Sequence, residues 1–182
     1  MVDLVARFGR SSVVTPVRGT RSGVRHNAGV NAALVVRIGM GLLGAVHAWW
    51  GVWARVAPRD FFDTFPGFGR RWTAAYPPFN EHLVTDLGAT FLTLALLLFA
   101  GAAWRSGSAT TNRSIRTVAL IAVGTFSTLH LSFHAGHQGD LGGDRMAGDY
   151  GLSLLTLVLG VLVPAGLLVI DRVRPAPAPA GR

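Results

Sequence analysis

Long apolar stretches alternate with shorter polar stretches along most of this chain. The apolar stretches run from about residue 32 to 56, 82 to 104, 116 to 137 and 150 to 170. Each approaches or exceeds the roughly 20 residues with which a helix crosses the ~30 Å hydrocarbon layer of a bilayer. Because backbone in lipid must satisfy its own hydrogen bonds, uninterrupted apolar stretches of this length are read as helices. The pattern therefore predicts an all-α integral membrane protein whose helical domain covers residues 32–170.

Arginine placement predicts how these helices are oriented. Arginines are concentrated before the first span, between the second and third, and after the fourth, whereas the other two connections mix acids with arginines. Basic segments stay in the cytoplasm, so we predict an antiparallel four-helix bundle with both termini cytoplasmic. Residues 1–31 lack the apolar region of a secretory signal and are predicted to be a disordered, Arg-rich tail. Residues 171–182 are predicted to be a second disordered tail because they are rich in Pro and Ala.

The composition fits lipid rather than water as the surrounding solvent. Half of the residues are hydrophobic and 14% are charged, whereas about 25% are charged in soluble domains. The chain has no cysteine, which excludes disulfides, thiolate metal sites and thiol catalysis. Its net charge of +8 is carried by arginines that flank the spans, so we interpret it as a topology signal and predict no nucleic-acid partner. The absence of lysine, with the Ala, Gly, Val and Leu bias, indicates a GC-rich bacterial genome and hence the bacterial inner membrane.

Ionisable side chains are concentrated toward one end of the predicted spans. An acid at the centre of a membrane helix costs roughly 2.5–3.5 kcal/mol on insertion scales, so several such groups at one depth indicate that they are used or paired. We predict an outward-opening pocket lined by His47, His82, Asp86, His130 and His134, with Glu81, His137 and Asp149 at its rim.

One interpretation of this pocket is a transition-metal site. The spacing of His130, His134 and His137 places them along one stripe of a helix, and imidazole is a ligand for Cu, Zn and Fe. The predicted metal ligands are His82, Asp86, His130, His134, His137 and Glu81. A haem held by His47 and His130 is a variant of this interpretation that requires no cysteine. Either cofactor would suit an accessory redox subunit.

Two other interpretations use the same residues differently. The histidines can be structural, with hydrogen bonds across helices, while Asn80 simply caps the second span. Alternatively, the pocket can pass protons or a small ligand, with the histidines as a relay. The sequence contains no Ser-His-Asp signature, Gly-rich phosphate loop or Rossmann pattern, so no catalytic class is predicted.

Three local features refine this picture. Pro164 predicts a kink in the fourth span. Trp49, Trp50 and Trp53 predict an aromatic belt at the membrane interface. Residues 58–72 form a long aromatic connection, which is expected to be a short helix on the membrane surface, a lid over the pocket or a docking surface for a partner.

Several motifs resemble those of a known group of small membrane proteins. They are Arg37-Ile-Gly-Met-Gly, Pro58 after the first span, and Asn80-Glu81-His82 followed by Asp86-Leu-Gly88. In these motifs the chain resembles the DoxX-like group and related actinobacterial four-helix membrane proteins, over roughly residues 36–170. The resemblance implies the four-helix architecture, and some members of the group are subunits linked to quinone or thiosulfate oxidation. The expected protein partner of this chain is another membrane protein or a second copy of the chain. The resemblance does not extend to the histidine stripe of the third span.

Overall fold

The computed structural model describes the chain course of residues 21–137 and 144–173, and the side chains of residues 32–137 and 150–173. Helices account for most of this part of the chain, and it contains no β-strand. They are α1 (Arg21–Val56), α2 (Pro58–Thr64), a 3-10 turn (Thr73–Ala75), α3 (Glu81–Ala103), α4 (Ala109–Gly136), α5 (Asp144–Leu155), a π-helical segment (Thr156–Leu162) and α6 (Val163–Arg172). The predicted all-α class is confirmed.

Four helical stretches are long and apolar enough to cross a membrane. They are Ala32–Val56, Glu81–Ala103, Ala109–Gly136 and Tyr150–Arg172. The four spans expected from the hydrophobic pattern match these stretches, apart from an earlier start of the third. Stretches of this kind are compatible with a multi-pass protein in a lipid bilayer.

Capping residues determine where two of these helices begin. The Asn80 side chain accepts a hydrogen bond from the backbone N–H of Leu83 at 3.2 Å, which confirms the cap predicted for the second span. The Ser108 hydroxyl oxygen accepts in the same way from the backbone N–H of Thr111 at 3.2 Å. This second cap starts α4 several residues before the apolar stretch itself.

Helix α1 also begins earlier than the predicted first span. It already includes residues 21–31, which the sequence pattern assigns to the disordered tail. This stretch contains no proline, so nothing in it interrupts a helix that continues from the span. Residues 1–20 and 174–182 lie outside the described residues, and the disorder of the two tails stays a prediction there.

Close packing of α1 on α3 organises the helices. Gly51 lies so close to Gly88 and Leu92 that an added Cβ would come within 2.9 Å of the Gly88 carbonyl oxygen. Nearer the start of α1, Gly44 approaches Phe99 instead. Helix α4 packs against α3, the π-helical segment and α6, and α6 also packs against α1. Small residues permit this close approach, which matters because helix association in lipid lacks a hydrophobic driving force.

Two apolar clusters fill the interior. The larger joins α1, α3, α4 and α6, and its buried members are Val36, Met40, Leu43, Leu94, Leu98, Ala119, Leu120, Val123 and Leu167. The smaller joins α1, α2, α3 and α5, and its buried members are Ala54, Phe61, Phe65, Phe91 and Leu152. Residues 58–76, which contribute Phe61 and Phe65, fold over one end of the helices. We call them the cover segment, and this end of the helices the cover end.

An ion pair is buried at the opposite end of the helices. The Arg116 guanidinium donates two hydrogen bonds to the Asp171 carboxylate, from Nη2 to Oδ1 at 2.9 Å and from Nε to Oδ2 at 3.2 Å. The two side chains are 8% and 2% exposed. The sequence pattern places Asp171 in the disordered tail, but in the structure it is buried in the last turn of α6 because Arg116 neutralises it.

Candidate functional site

Helix α1 contributes a buried histidine near the cover end. His47 is 3% exposed, and its Nδ1–H donates to the Leu43 carbonyl oxygen at 2.8 Å. Because a carbonyl only accepts, this bond places a proton on Nδ1 and leaves Nε2 of the neutral ring as an acceptor. The ring centroid lies 5.8 Å from that of Phe91 and 5.9 Å from that of Trp50. The imidazole is therefore held in one orientation by its own helix and by aromatic neighbours.

Helix α4 contributes two histidines whose rings meet. Nε2 of His134 lies 3.1 Å from Nε2 of His130, one helical turn earlier. The His130 ring stacks nearly parallel to Phe126, with an interplanar angle of 6° and a centroid distance of 5.9 Å. His134 is 3% exposed, and the Tyr76 hydroxyl lies 3.5 Å from its Nδ1. Tyr76, His134 and His130 thus form a continuous polar line from the cover segment into the helices.

The cover segment lies over these histidines and is tied to the helices. Its short helix α2 buries Phe61. The indole Nε1–H of Trp53 donates to a carboxylate oxygen of Asp60 at 2.7 Å, which joins α2 to α1. Farther along the segment, the Thr73 hydroxyl donates to the Phe62 carbonyl oxygen at 2.6 Å. Of the roles expected for this connection, that of a lid over the pocket agrees with these contacts.

A cavity of about 330 Å³ lies between the cover segment and the helices. Its walls are mainly aromatic and aliphatic. The polar residues among them are His47, Thr73, Tyr76, Asn80, Ser127, His130, His134 and Thr156. Ligand pockets measure about 300–1,000 Å³ and combine apolar walls with a few polar groups. The cavity therefore has the size and lining of a site for a small organic molecule.

One wall of the cavity is the π-helical segment. Pro164 cannot donate a backbone hydrogen bond, and its ring crowds the carbonyl group four residues earlier. In the turn before it, the backbone N–H of Val163 donates to the carbonyl oxygen of Val158, five residues back. The wider turn presents Thr156 and Gly160 to the cavity. Where the sequence predicts a kink at Pro164, the structure shows a π-helical segment in the preceding turns. Such segments are frequent at functional sites.

Other predicted site residues lie away from the cavity. The side chains of His82 and Asp86 are 81% and 61% exposed, and Nε2 of His82 lies 3.4 Å from Oδ2 of Asp86 on the surface of α3. Glu81 is exposed and borders a separate, shallow depression beside α2. His137 is exposed at the end of α4, where its Nδ1–H donates to a backbone carbonyl oxygen of that helix at 2.7 Å. The side chain of Asp149 lies outside the described residues.

The predicted metal ligands do not assemble into one site. In the part of the chain that the structure describes, no three His, Asp or Glu side chains are arranged to hold a metal ion. A structural zinc site needs four protein ligands and a catalytic one three, whereas His130 and His134 provide two. The expected stripe loses His137 because α4 ends at Gly136 and His137 leaves helical geometry, with φ −119° and ψ 14°.

The tryptophans of α1 have different environments. Trp49 is 65% exposed, which fits the expected interfacial belt. Trp50 is half-buried and lines the cavity. Trp53 packs edge-on against Phe61 of the cover segment, with ring centroids 5.4 Å apart. The belt interpretation therefore fits Trp49, while the other two belong to the cavity wall and to the support of its cover.

Sequence reasoning missed several polar residues that border the cavity. Ser127 and Thr156 are among them. Ser127 precedes His130 by three residues and His134 by seven, so helical periodicity could have placed it on their face of α4. Tyr76 carried no such signal, because it lies in an irregular connection whose path depends on tertiary contacts.

The chain matches no protein-family model, no characterised protein and no solved structure. The resemblance to DoxX-like proteins therefore stays a prediction. The function has to be argued from the geometry of the cavity.

Proposed function

We propose that this protein is a multi-pass membrane protein that binds a small, flat-ring molecule in the cavity beneath its cover segment. The observation that carries the proposal is the His130–His134 pair, which borders a largely aromatic cavity of about 330 Å³. Aromatic walls favour stacking with a ring, and imidazole nitrogens can donate to or accept from a carbonyl or hydroxyl oxygen. A quinone or phenol of one or two rings has this chemistry.

The proposal includes an orientation in the membrane. We place the cover end at the outer face of the bacterial inner membrane, with an antiparallel four-helix bundle and both termini in the cytoplasm. The Arg-rich segments support this orientation. The contacts of Gly51 with Gly88 and of Gly44 with Phe99 support the antiparallel pairing of α1 with α3.

The described hydrogen bonds of His47 and His130 favour a binding site over a purely structural role of these two histidines. His47 donates to Leu43 within α1, and His130 contacts His134 within α4, while His134 also approaches the Tyr76 hydroxyl of the cover segment. Histidines that serve to join helices are expected to bond from one span to another. Polar groups placed around a space are instead the arrangement that orients a ligand.

Quenching of tryptophan fluorescence by menadione (2-methyl-1,4-naphthoquinone) tests the proposal, since Trp50 lines the cavity. The full chain in detergent should show saturable quenching, and Trp50→Phe should remove most of it. His130→Leu should weaken binding about tenfold, because it removes a hydrogen bond worth about 1.4 kcal/mol to the ring oxygen. His82→Ala changes an exposed histidine outside the cavity and should bind menadione like the wild type.

The quenching experiment has a clear negative result. Quenching that does not saturate, or that is equal in the wild type and Trp50→Phe, would contradict a ring-binding cavity. Equal weakening by His130→Leu and His82→Ala would contradict the assignment of the ring oxygen to the buried pair.

A second candidate function is coordination of one transition-metal ion by His130 and His134. Two nitrogens that each lie about 2.0–2.1 Å from one ion can be 3.1 Å apart, which is the separation of their Nε2 atoms. Further ligands would have to come from water or a bound molecule. A near-stoichiometric Cu, Zn or Fe in protein purified without a His-tag, lost in His134→Ala, would support this candidate. A metal-free protein that takes up none of the three would contradict it.

Haem held by His47 and His130 is the less favoured cofactor. The cavity of about 330 Å³ lies near the lower end of the range for ligand pockets, which suits one or two rings better than a porphyrin. We therefore expect no Soret band in the purified protein, and the appearance of one would restore the haem interpretation.

A further inference from the structure

The exposed residues that line the cavity lie together at one place. They are Pro78, Asn80, Leu83 and Phe133, and the remaining lining residues are buried or half-buried. The first three precede or begin α3, and Phe133 lies in the last turn of α4. Residues that both line a cavity and reach the surface mark its opening. The mouth of the cavity therefore lies between the cover ends of α3 and α4.

The part of the mouth that lies within α3 and α4 is apolar. Leu83 is 63% exposed and Phe133 is 46% exposed. Leu129, one turn before Phe133, is 67% exposed, so the exposed apolar surface continues along α4. Contiguous apolar surface on a helix that can span a membrane is expected to face lipid. The mouth therefore leads toward the bilayer.

The cover segment closes the side of the cavity that lies beyond the helix ends. Phe61 and Phe65 are 1% and 5% exposed. The backbone N–H of Trp72 donates to the Phe65 carbonyl oxygen at 2.8 Å, and the Trp72 ring rests so closely on Gly151 that a side chain there would collide with it. The segment thus reaches from α1 across to α5, and its last residue, Tyr76, packs beside Phe133 with ring centroids 5.7 Å apart. Leu83 and Phe133 stay exposed at the mouth between α3 and α4.

We propose that the ligand reaches the cavity from the lipid phase, through the mouth between α3 and α4, and not from the water above the cover segment. This inference rests on the proposed function and deepens it, because it specifies a ligand that partitions into the bilayer. A quinone or phenol ring with an alkyl chain fits this route. Its ring oxygen would meet His130, and its chain would lie between Leu83 and Phe133.

A series of naphthoquinones with alkyl chains of increasing length tests the route. The full chain is reconstituted in phospholipid vesicles, and tryptophan quenching is followed by stopped-flow mixing. The signal of Trp50 is the part of this quenching that Trp50→Phe removes. For a lipid route, the association rate constant per aqueous concentration should rise with the lipid–water partition coefficient of the probe. A sulfonated naphthoquinone, which stays in water, should quench Trp50 slowly or not at all.

A comparison of the association rates of two variants, Leu83→Asp and Leu154→Asp, tests where on the protein the ligand enters. Leu83→Asp places a charge at the mouth and should slow association of the alkyl probes about fivefold, since a barrier increase near 1 kcal/mol corresponds to this factor. Leu154 is the matched control, because it is 62% exposed near the cover end of the fourth apolar stretch, Tyr150–Arg172, but does not line the cavity. Leu154→Asp should leave the rate unchanged. If either aspartate variant does not fold, Leu83→Gln and Leu154→Gln make the same comparison.

The outcomes separate this inference from the proposed function. Rate constants that are independent of partitioning, with rapid quenching by the sulfonated probe, would show access from water and overturn the lipid route alone. Equal rates in the Leu83 and Leu154 variants would overturn the position of the mouth. The absence of Trp50 quenching by every probe would overturn the proposed function, and the route with it.

Discussion

Buried polar groups have different surroundings at the two ends of the described helices. Away from the cover segment, Arg116 and Asp171 bind each other through two hydrogen bonds, and their side chains are 8% and 2% exposed. At the cover end, His47 and His134 are each 3% exposed but border a cavity of about 330 Å³. Burial of a polar group by itself therefore does not indicate a binding site. The feature that distinguishes the cover end is the space beside its buried polar groups.

The difference follows from what each kind of side chain costs to bury. A desolvated charge costs several kcal/mol, about as much as a well-formed partner can return, so an ion pair tolerates no gap between its members. A neutral imidazole costs less, and His47 already donates one N–H to a backbone carbonyl. Neutral histidines at the cover end can therefore border an apolar cavity. The charged groups of Arg116 and Asp171 at the opposite end have to stay in direct contact with each other.

The largest effect on stability is expected when one member of the Arg116–Asp171 ion pair is removed. Asp171→Leu leaves the Arg116 guanidinium buried without its counter-charge, and the loss of one partner of a buried pair costs about 3–5 kcal/mol. Unfolding in mixed detergent micelles, followed by circular dichroism, should show this loss. Menadione binding by the folded fraction should be unchanged, because the cavity lies at the other end.

A double variant provides the control for this loss. Arg116→Met combined with Asp171→Leu leaves no unpaired charge and should recover most of the free energy of unfolding. An Asp171→Leu protein as stable as the wild type would mean that the pair is not a closed, desolvated contact, and the contrast between the two ends would disappear.

The packing contact between α1 and α3 should give the next largest effect on the free energy of unfolding. At Gly51 an added Cβ would lie 2.9 Å from the backbone of α3, whereas at Gly41 it would meet nothing within 4 Å. Gly51→Ala should therefore be less stable than Gly41→Ala by about 1–3 kcal/mol, the usual cost of overpacking. The same micelle unfolding measures this difference, and equal stabilities would argue against close packing of α1 on α3.

A smaller change in the free energy of unfolding is expected at His134, a buried polar residue that borders the cavity. His134→Leu removes the contacts with His130 and Tyr76 but leaves no charge behind, so the free energy of unfolding should fall by about 1 kcal/mol. Menadione affinity, measured by Trp50 quenching, should fall about tenfold, because the loss of a hydrogen bond can change affinity to this extent. A loss of stability as large as that of Asp171→Leu, with menadione binding intact, would make His134 a structural residue like Asp171.

The smallest effect is expected at the exposed pair on α3. The side chains of His82 and Asp86 are 81% and 61% exposed, and exposed pairs of this kind contribute at most about 1 kcal/mol. His82→Ala should change the free energy of unfolding by less than about 0.5 kcal/mol and leave menadione affinity as it is. A marked loss of binding on this substitution would place His82 in the site and contradict the described geometry.

Much of the fold follows from local features of the sequence. The four apolar stretches predict helices where the structure has them, because chain length and hydropathy are local quantities. Asn80 predicts the start of α3 through its side-chain hydrogen bond to Leu83. The kink predicted at Pro164 stays a prediction, and the structure has a π-helical segment before this residue. The depth of His47, His130 and His134 is predictable for the same reason, and all three line one cavity.

The tertiary structure decided which of the polar residues at that depth face the cavity. Position along a helix gives depth, but the rotation of the helix about its axis depends on its neighbours. Gly88 sets the face of α3 that packs on α1, and His82 and Asp86 consequently point away from the cavity. Hydropathy carries no information about that rotation, so the proposed metal ligands on α3 did not join those on α4.

The helices, their approximate limits and the end at which the histidines lie follow from the amino-acid sequence without knowledge of the packing. Three features follow from the packing: Asp171 neutralises Arg116, Tyr76 reaches His134, and the cover segment encloses a cavity. These contacts join residues far apart in the chain. They depend on the shapes of surfaces that exist only after the helices have packed, whereas a helix depends on residues within a few positions of one another.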